Sequence, residues 1–175
     1  SDITRSWPIS GKFTDAQKEI YQLVLDSQEA AIAECIVGNP YNAPHDAARK
    51  VLAEGLIKLG IINQSLEDAL DLESGELKNW YMHNTSHWIG LDVHDVGVYK
   101  PNGEARLLEE GMCLTIEPGL YFGSWRPDVN CPAKYSNLGI RIEDDVLVTN
   151  NGPEVLTATC PKTIDEIESI VGISF

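Results

Sequence analysis

Residues Gly139–Thr149 read "GIRIEDDVLVT". Strand alternation sends Ile140 and Ile142 to one face and Arg141 and Glu143 to the other, so a single short element carries an apolar face and an ionic one. A half-exposed strand with a surface Arg and Glu would read the same way. The neighbouring runs "MCLTI" (112–116) and "DVLVT" (145–149) are short, apolar and rich in β-branched residues, which marks strands. From about residue 81 onward the composition shifts toward glycine and such runs, and the second half reads as mainly sheet.

The first half has a different period. "FTDAQKEIYQLVLDSQEAAIAECIVGNP" (13–40) opens with Thr14 three residues before Gln17, a capping box, and carries Ile20, Val24, Ala31 and Ile32 at roughly helical spacing. "HDAARKVLAEGLIKLG" (45–60) repeats the pattern and ends on Gly60, where a left-handed cap would fall. Ser65 heads a shorter candidate helix that Gly75 interrupts, and "TIDEIESIV" (163–171) reads as a closing helix. Helices followed by strands predict an α+β fold in one domain, helical over about 14–80, sheet-rich over about 81–160, with a closing helix over about 163–171. The run from Gly123 to Asn137, with its prolines and asparagines, predicts a long surface excursion.

Thirteen basic against twenty-seven acidic residues leave a net charge of −14 over 175 residues, which disfavours nucleic acid and anionic membrane surfaces as partners. No run approaches eighteen apolar residues, and "SDITRSWPIS" lacks the layout of a signal peptide, so a cytoplasmic location is expected. Cys35, Cys113, Cys131 and Cys160 form no C-x-x-C pair, which speaks for thiols and against a cysteine zinc site.

Candidate chemistry gathers in four places. "HNTSHWIGLDVHDVG" (83–97) holds His83, His87 and His94, spaced unlike any common zinc signature, and Gly90 and Gly97 predict bent strands that turn side chains into a cleft. Glu117 ends an apolar strand before a Pro-Gly turn, as a rigid ligand or as an acceptor for turn N–H groups. Arg141 and Glu143 share the ionic face, and Asp2 begins "DITRSWP", either a short strand ended by Pro8 or a loose terminus. Asp2, His87, Glu117 and Glu143 together would make an oxygen-rich site with one imidazole, suited to manganese, cobalt or zinc.

Four blocks in order, "DITRSWPISGKFTDAQKEIY", "SHWIGLDVHDVGVY", "LLEEGMCLTIEPGLYF" and "GIRIEDDVLVT", resemble the catalytic domain of bacterial aminopeptidase P over most of the chain. Prolidases share the "GLDVHDVG"-like and "EPG" blocks, but "SHW" is closer to aminopeptidase P. The resemblance implies a pita-bread fold, a curved antiparallel sheet flanked by helices, with a dinuclear centre holding two divalent ions, usually Mn2+, with Zn2+ or Co2+ as alternatives. It implies Asp2, His87, Glu117 and Glu143 as metal ligands, Glu117, His94 and Arg141 as catalytic groups, and His83 and His94 as substrate-binding. The activity it implies is hydrolysis of the N-terminal Xaa-Pro bond of peptides with proline second, by a homo-oligomer in the full-length protein. A further metal-binding aspartate of the family lies on a strand upstream of Asp2, together with an N-terminal domain. On this reading the chain is a C-terminal fragment, lacking the opening strand of the fold and one ligand, and is expected to be inactive alone. Asn84 departs from the glycine usual after the histidine. Two other readings are an Xaa-Pro dipeptidase and a pita-bread domain kept as a non-catalytic binding module.

Overall fold

The computed structural model describes residues 1–124 and 128–172. Helix α1 (Asp15–Ala33) starts at Thr14, whose hydroxyl accepts from the Gln17 N–H while the Gln17 side chain accepts from the Thr14 N–H, closing the capping box. Helix α2 (Ala43–Lys58) begins with Pro44 in its first turn, and Gly60 just beyond it takes a φ of 69°, the left-handed conformation that a β-carbon disfavours. Ser65 caps α3 (Leu66–Leu70), which is only five residues long, and a 3-10 turn (Glu76–Asn79) follows. Helix α4 (Ile164–Ile170) closes the described chain with a second capping box, Thr163 with Glu166.

Among the described residues five short strands make the sheet: β1 (Cys113–Ile116), β2 (Gly119–Phe122), β3 (Leu138–Arg141), β4 (Asp144–Thr149) and β5 (Gly152–Val155). All pairings are antiparallel, in the order β1-β4-β5 for one sheet and β2-β3 for the other. The two sheets are halves of one ribbon. Ile116 pairs with Asp144 and Gly119 with Arg141, so the register runs unbroken across the gap, and Glu117 lies opposite Glu143 at the break.

The ribbon's apolar face is buried in two clusters, one on each side of that break. Leu120, Phe122, Ile140 and Ile142 pack with Tyr21, Leu52, Leu56, Trp80 and Tyr135, and Leu114, Ile116, Val146 and Val148 pack with Ala31, Ala48 and Trp88. The α1–α2 pair therefore backs the whole ribbon and leaves the opposite face free for ionic side chains.

Two expectations need correction. Residues 81–112 contain no regular strand among those described; Trp88 makes a single bridge to Leu114, and Thr85, His87 and Ile89 run beside β1 through three backbone hydrogen bonds. The bent strands expected around Gly90 and Gly97 are a closed loop. The Asp95 N–H donates to the Trp88 carbonyl at 3.0 Å, and the Asp95 carboxylate accepts from the N–H groups of Leu91 and Val96. The glycines are there for space: a β-carbon on Gly97 would lie 2.3 Å from Trp88 Cδ1. Gly97→Ala is accordingly expected to destabilise the protein by about 1–3 kcal/mol through overpacking, read as a lower urea midpoint. The predicted excursion 123–137 lies in part outside the described residues; within it Ala133–Tyr135 forms a 3-10 turn.

Candidate metal centre

Odd-numbered positions of the ribbon face away from the helices, and the four carboxylate and imidazole candidates meet there. Asp2 sits on the segment that bridges to the ribbon through Thr4 and Glu143, where the Glu143 N–H donates to the Thr4 carbonyl at 3.0 Å. The Asp2 N–H is held by the Asp145 carboxylate, with both oxygens at 3.2 Å. The terminus is thus anchored rather than loose. His87 Nε2 lies 3.5 Å from Asp2 Oδ2 and 3.5 Å from Glu117 Oε1. Two overlapping donor groups result, Asp2–His87–His94 and His87–Glu117–Glu143, each with ligand atoms within 4.8 Å of one another.

These residues fit a divalent cation on three counts. His87 Nδ1 is 3.0 Å from the Trp88 carbonyl, a contact that places the ring proton on Nδ1 and leaves the Nε2 lone pair free. Nε2 is buried and has no hydrogen-bond partner, an arrangement that costs free energy unless something binds there. Glu117 and Glu143 oppose each other as like charges directly across the strands, which is unfavourable without a cation between them. Arg141, 3.4 Å from Glu117, offsets only one of the three carboxylates.

Electrostatics match that geometry. Burial, and then the Glu143 carboxylate, push Glu117 up to about 7, against the pull of Arg141 and His87. Glu143, 2% exposed, is raised by burial despite a hydrogen bond from the Thr4 hydroxyl. Arg141 Nη1 lies 3.4 Å from Glu117 Oε2, and its backbone is pinned by Ser6.

The histidines divide by place. His94 is exposed, with its ring 4.2 Å from that of His87. His83 lies farther along the same face, where its Nε2 meets the Tyr121 hydroxyl at 2.8 Å, the hydroxyl to which Arg141 Nε donates at 2.8 Å. Burial lowers the His83 pKa, so the ring is neutral at physiological pH. Sequence reasoning missed Tyr121, although it falls on the ionic side of β2 by simple alternation from Glu117. It also missed His45, whose Nδ1 reaches the Thr85 hydroxyl at 2.8 Å beside a cleft of about 670 Å³ that extends to His87.

The pattern of metallopeptidase family M24 matches residues 1–150. The Xaa-Pro aminopeptidase of Haemophilus influenzae is 41% identical over 170 residues, 97% of this chain and 38% of the relative. That of Escherichia coli K12 is 43% identical over 170 residues, 97% of this chain and 37% of the relative. Among solved structures, Pseudomonas aeruginosa aminopeptidase PepP superposes with a TM-score of 0.91 at 44% identity, over 98% of this chain and 38% of its own. Zinc-substituted E. coli aminopeptidase P in complex with product gives 0.88 at 43% identity, over 98% of this chain and 38% of its own. The chain spans a little over a third of the length of the relatives it matches. The fold is the α+β pita-bread fold of these aminopeptidases, and by its sequence pattern and its relatives the chain belongs to metallopeptidase family M24.

Proposed function

We propose that this chain supplies part of the catalytic domain of an Xaa-Pro aminopeptidase, acting on peptides with proline in second position. The observation that carries the reading is the opposition of Glu117 and Glu143 at the sheet break, with an unpartnered His87 Nε2 aimed into the same space. Asp2, His87, Glu117 and Glu143 would hold two divalent ions; three carboxylates and one imidazole favour Mn2+, with Zn2+ or Co2+ as alternatives. When bound, such ions polarise a peptide carbonyl and lower the pKa of water.

The chain's own side chains do the rest. Glu117 supplies a carboxylate that can take up and pass on a proton beside the substrate, and Arg141 at 3.4 Å keeps it oriented. An Xaa-Pro bond has no N–H to donate, so proline is recognised by shape and its nitrogen is protonated as it leaves. His83, edge-on to Tyr81 and bonded to Tyr121, gives a neutral rigid wall for the ring. His94, exposed beside His87, is placed to meet the substrate and assist the leaving nitrogen. The names carried by the relatives support the preference for Xaa-Pro bonds.

The test is metal content together with substrate length. After dialysis against Mn2+, and separately against Zn2+, the protein carrying this chain is expected to retain close to two equivalents by elemental analysis and to cleave Xaa-Pro-Xaa peptides faster than Xaa-Pro dipeptides. The 175-residue chain alone, which spans a little over a third of its relatives' length, is expected to bind more weakly and hydrolyse little. Metal retention near zero in the longer protein, or dipeptides as the better substrates, would overturn the reading.

A further inference from the structure

Asp144 stands on the wrong face of its strand. It follows Ile140 and Ile142 on the helix-facing side, precedes Val146 and Val148, and is fully buried. Its carboxylate is nevertheless saturated. Oδ1 accepts from Arg5 Nη2 at 2.7 Å and from the Thr157 hydroxyl at 2.6 Å; Oδ2 accepts from Lys162 Nζ at 3.1 Å and from Gln28 Nε2 at 2.9 Å. Arg5, with a side chain 7% exposed, is saturated too. Besides Asp144, its N–H groups donate to the carbonyls of Thr4 and Glu143 through Nη1, of Cys160 through Nη2 and of Pro161 through Nε, at 2.7–2.9 Å. All five guanidinium donors are used.

The knot joins four pieces of chain: the Asp2 segment, the β3–β4 link with Glu143, the 157–162 link and α1. A buried ion pair is a poor source of stability compared with apolar packing, so its retention calls for another reason. That reason lies where the bonds fall. Arg5 grips the carbonyl of Glu143 itself, and it is three residues from Asp2 on the segment whose Thr4 hydroxyl bonds the Glu143 carboxylate. We propose that Arg5, clamped by Asp144, is a positioning residue that sets the distance between the Asp2 and Glu143 carboxylates and thereby tunes the metal centre. The proposal rests on the metal-centre reading of those two residues.

The experiment is Mn2+ titration by calorimetry of the protein carrying this chain, with urea melts in EDTA alongside. Arg5→Lys keeps the charge but replaces the planar five-donor fork with a compact ammonium. It is expected to raise the Mn2+ Kd roughly 10- to 100-fold while the metal-free protein stays cooperatively folded at the assay temperature. Thr157→Val, nearly isosteric, removes the hydroxyl shared by Asp144 and the Asp145 N–H and should raise the Kd by a smaller factor, with no loss of fold. A folded Arg5→Lys protein with unchanged affinity overturns the proposal. Should Arg5→Lys not fold, unchanged affinity in Thr157→Val overturns it instead. Failure of the parent protein to bind Mn2+ at all is a different result, which removes the metal-centre reading and this proposal with it.

Discussion

Glu117→Gln is expected to lower hydrolysis of Xaa-Pro peptides by about 10²- to 10⁴-fold while leaving the metal-free protein as stable as the parent or more so. The two halves of that result come from one cause. Glu117 is half-buried and opposed by Glu143 across the sheet break, which together hold its pKa near 7 in the metal-free protein. In the metal-free protein the charge is therefore a burden, and an amide of the same shape relieves the repulsion. For hydrolysis the same carboxylate has to carry a proton at neutral pH, which an amide cannot do. Steady-state kinetics on an Xaa-Pro-Xaa peptide, with urea melts in EDTA, separate the halves. A kcat within tenfold of the parent would sink the proton-carrying role. A large loss of metal-free stability would instead make Glu117 a structural anchor for Arg141.

Much of this site was legible before the structure, and the parts that were not share a reason. The capping box of Thr14 and Gln17 and the left-handed Gly60 are local signals, complete within four residues of sequence. Glu117 and Glu143 are visible as carboxylates at strand ends. Their opposition is not, because it depends on the register of two strands separated by an excursion of fifteen residues that no local pattern sets. The expectation of strands around Gly90 and Gly97 gave weight to Trp88, Ile89, Leu91 and Val93, but Leu91 and Val93 are exposed, and β-propensity without a face to bury decides little. Asp144 reads as one more acidic residue in "EDD"; only the partners brought by Arg5, Lys162 and Gln28 from distant segments reveal it as the centre of a buried network.

Glu117 should cost the metal-free protein stability as pH rises from about 4.5 to about 7, a contribution that Glu117→Gln removes. Glu117 has an ordinary value of 4.5 and is raised to about 7 in the folded protein, so across that window the folded state binds the proton and the unfolded chain has lost it. Stability then falls with increasing pH, because the folded state is the one that binds more protons. The full displacement is worth about 3 kcal/mol, at about 1.4 kcal/mol per pH unit. Glu143, raised in the same direction, adds to it. Asp144 works the other way. Burial alone would raise its pKa, but Thr157, Arg5 and Lys162 outweigh that and hold it below the ordinary 3.8, so its contribution is present above that value and lost in stronger acid. His45, lowered by burial to about 4, and His83, lowered in the same way, add stability as pH rises toward 6.5, so the Glu117 contribution is read as the difference between the parent and Glu117→Gln. A bound cation reverses the neutral limb, since it competes with the protons on Glu117 and Glu143 and at a hundredfold excess over Kd adds about 2.7 kcal/mol. Urea melts at several pH values, with EDTA or with Mn2+, read this directly. The metal-free stability of Glu117→Gln relative to the parent should grow from pH 5 to pH 7, and with Mn2+ it should not. A metal-free difference between Glu117→Gln and the parent that stays constant from pH 5 to pH 7 would mean that the Glu117 charge is already compensated within the protein, and would remove the electrostatic argument for a cation between Glu117 and Glu143.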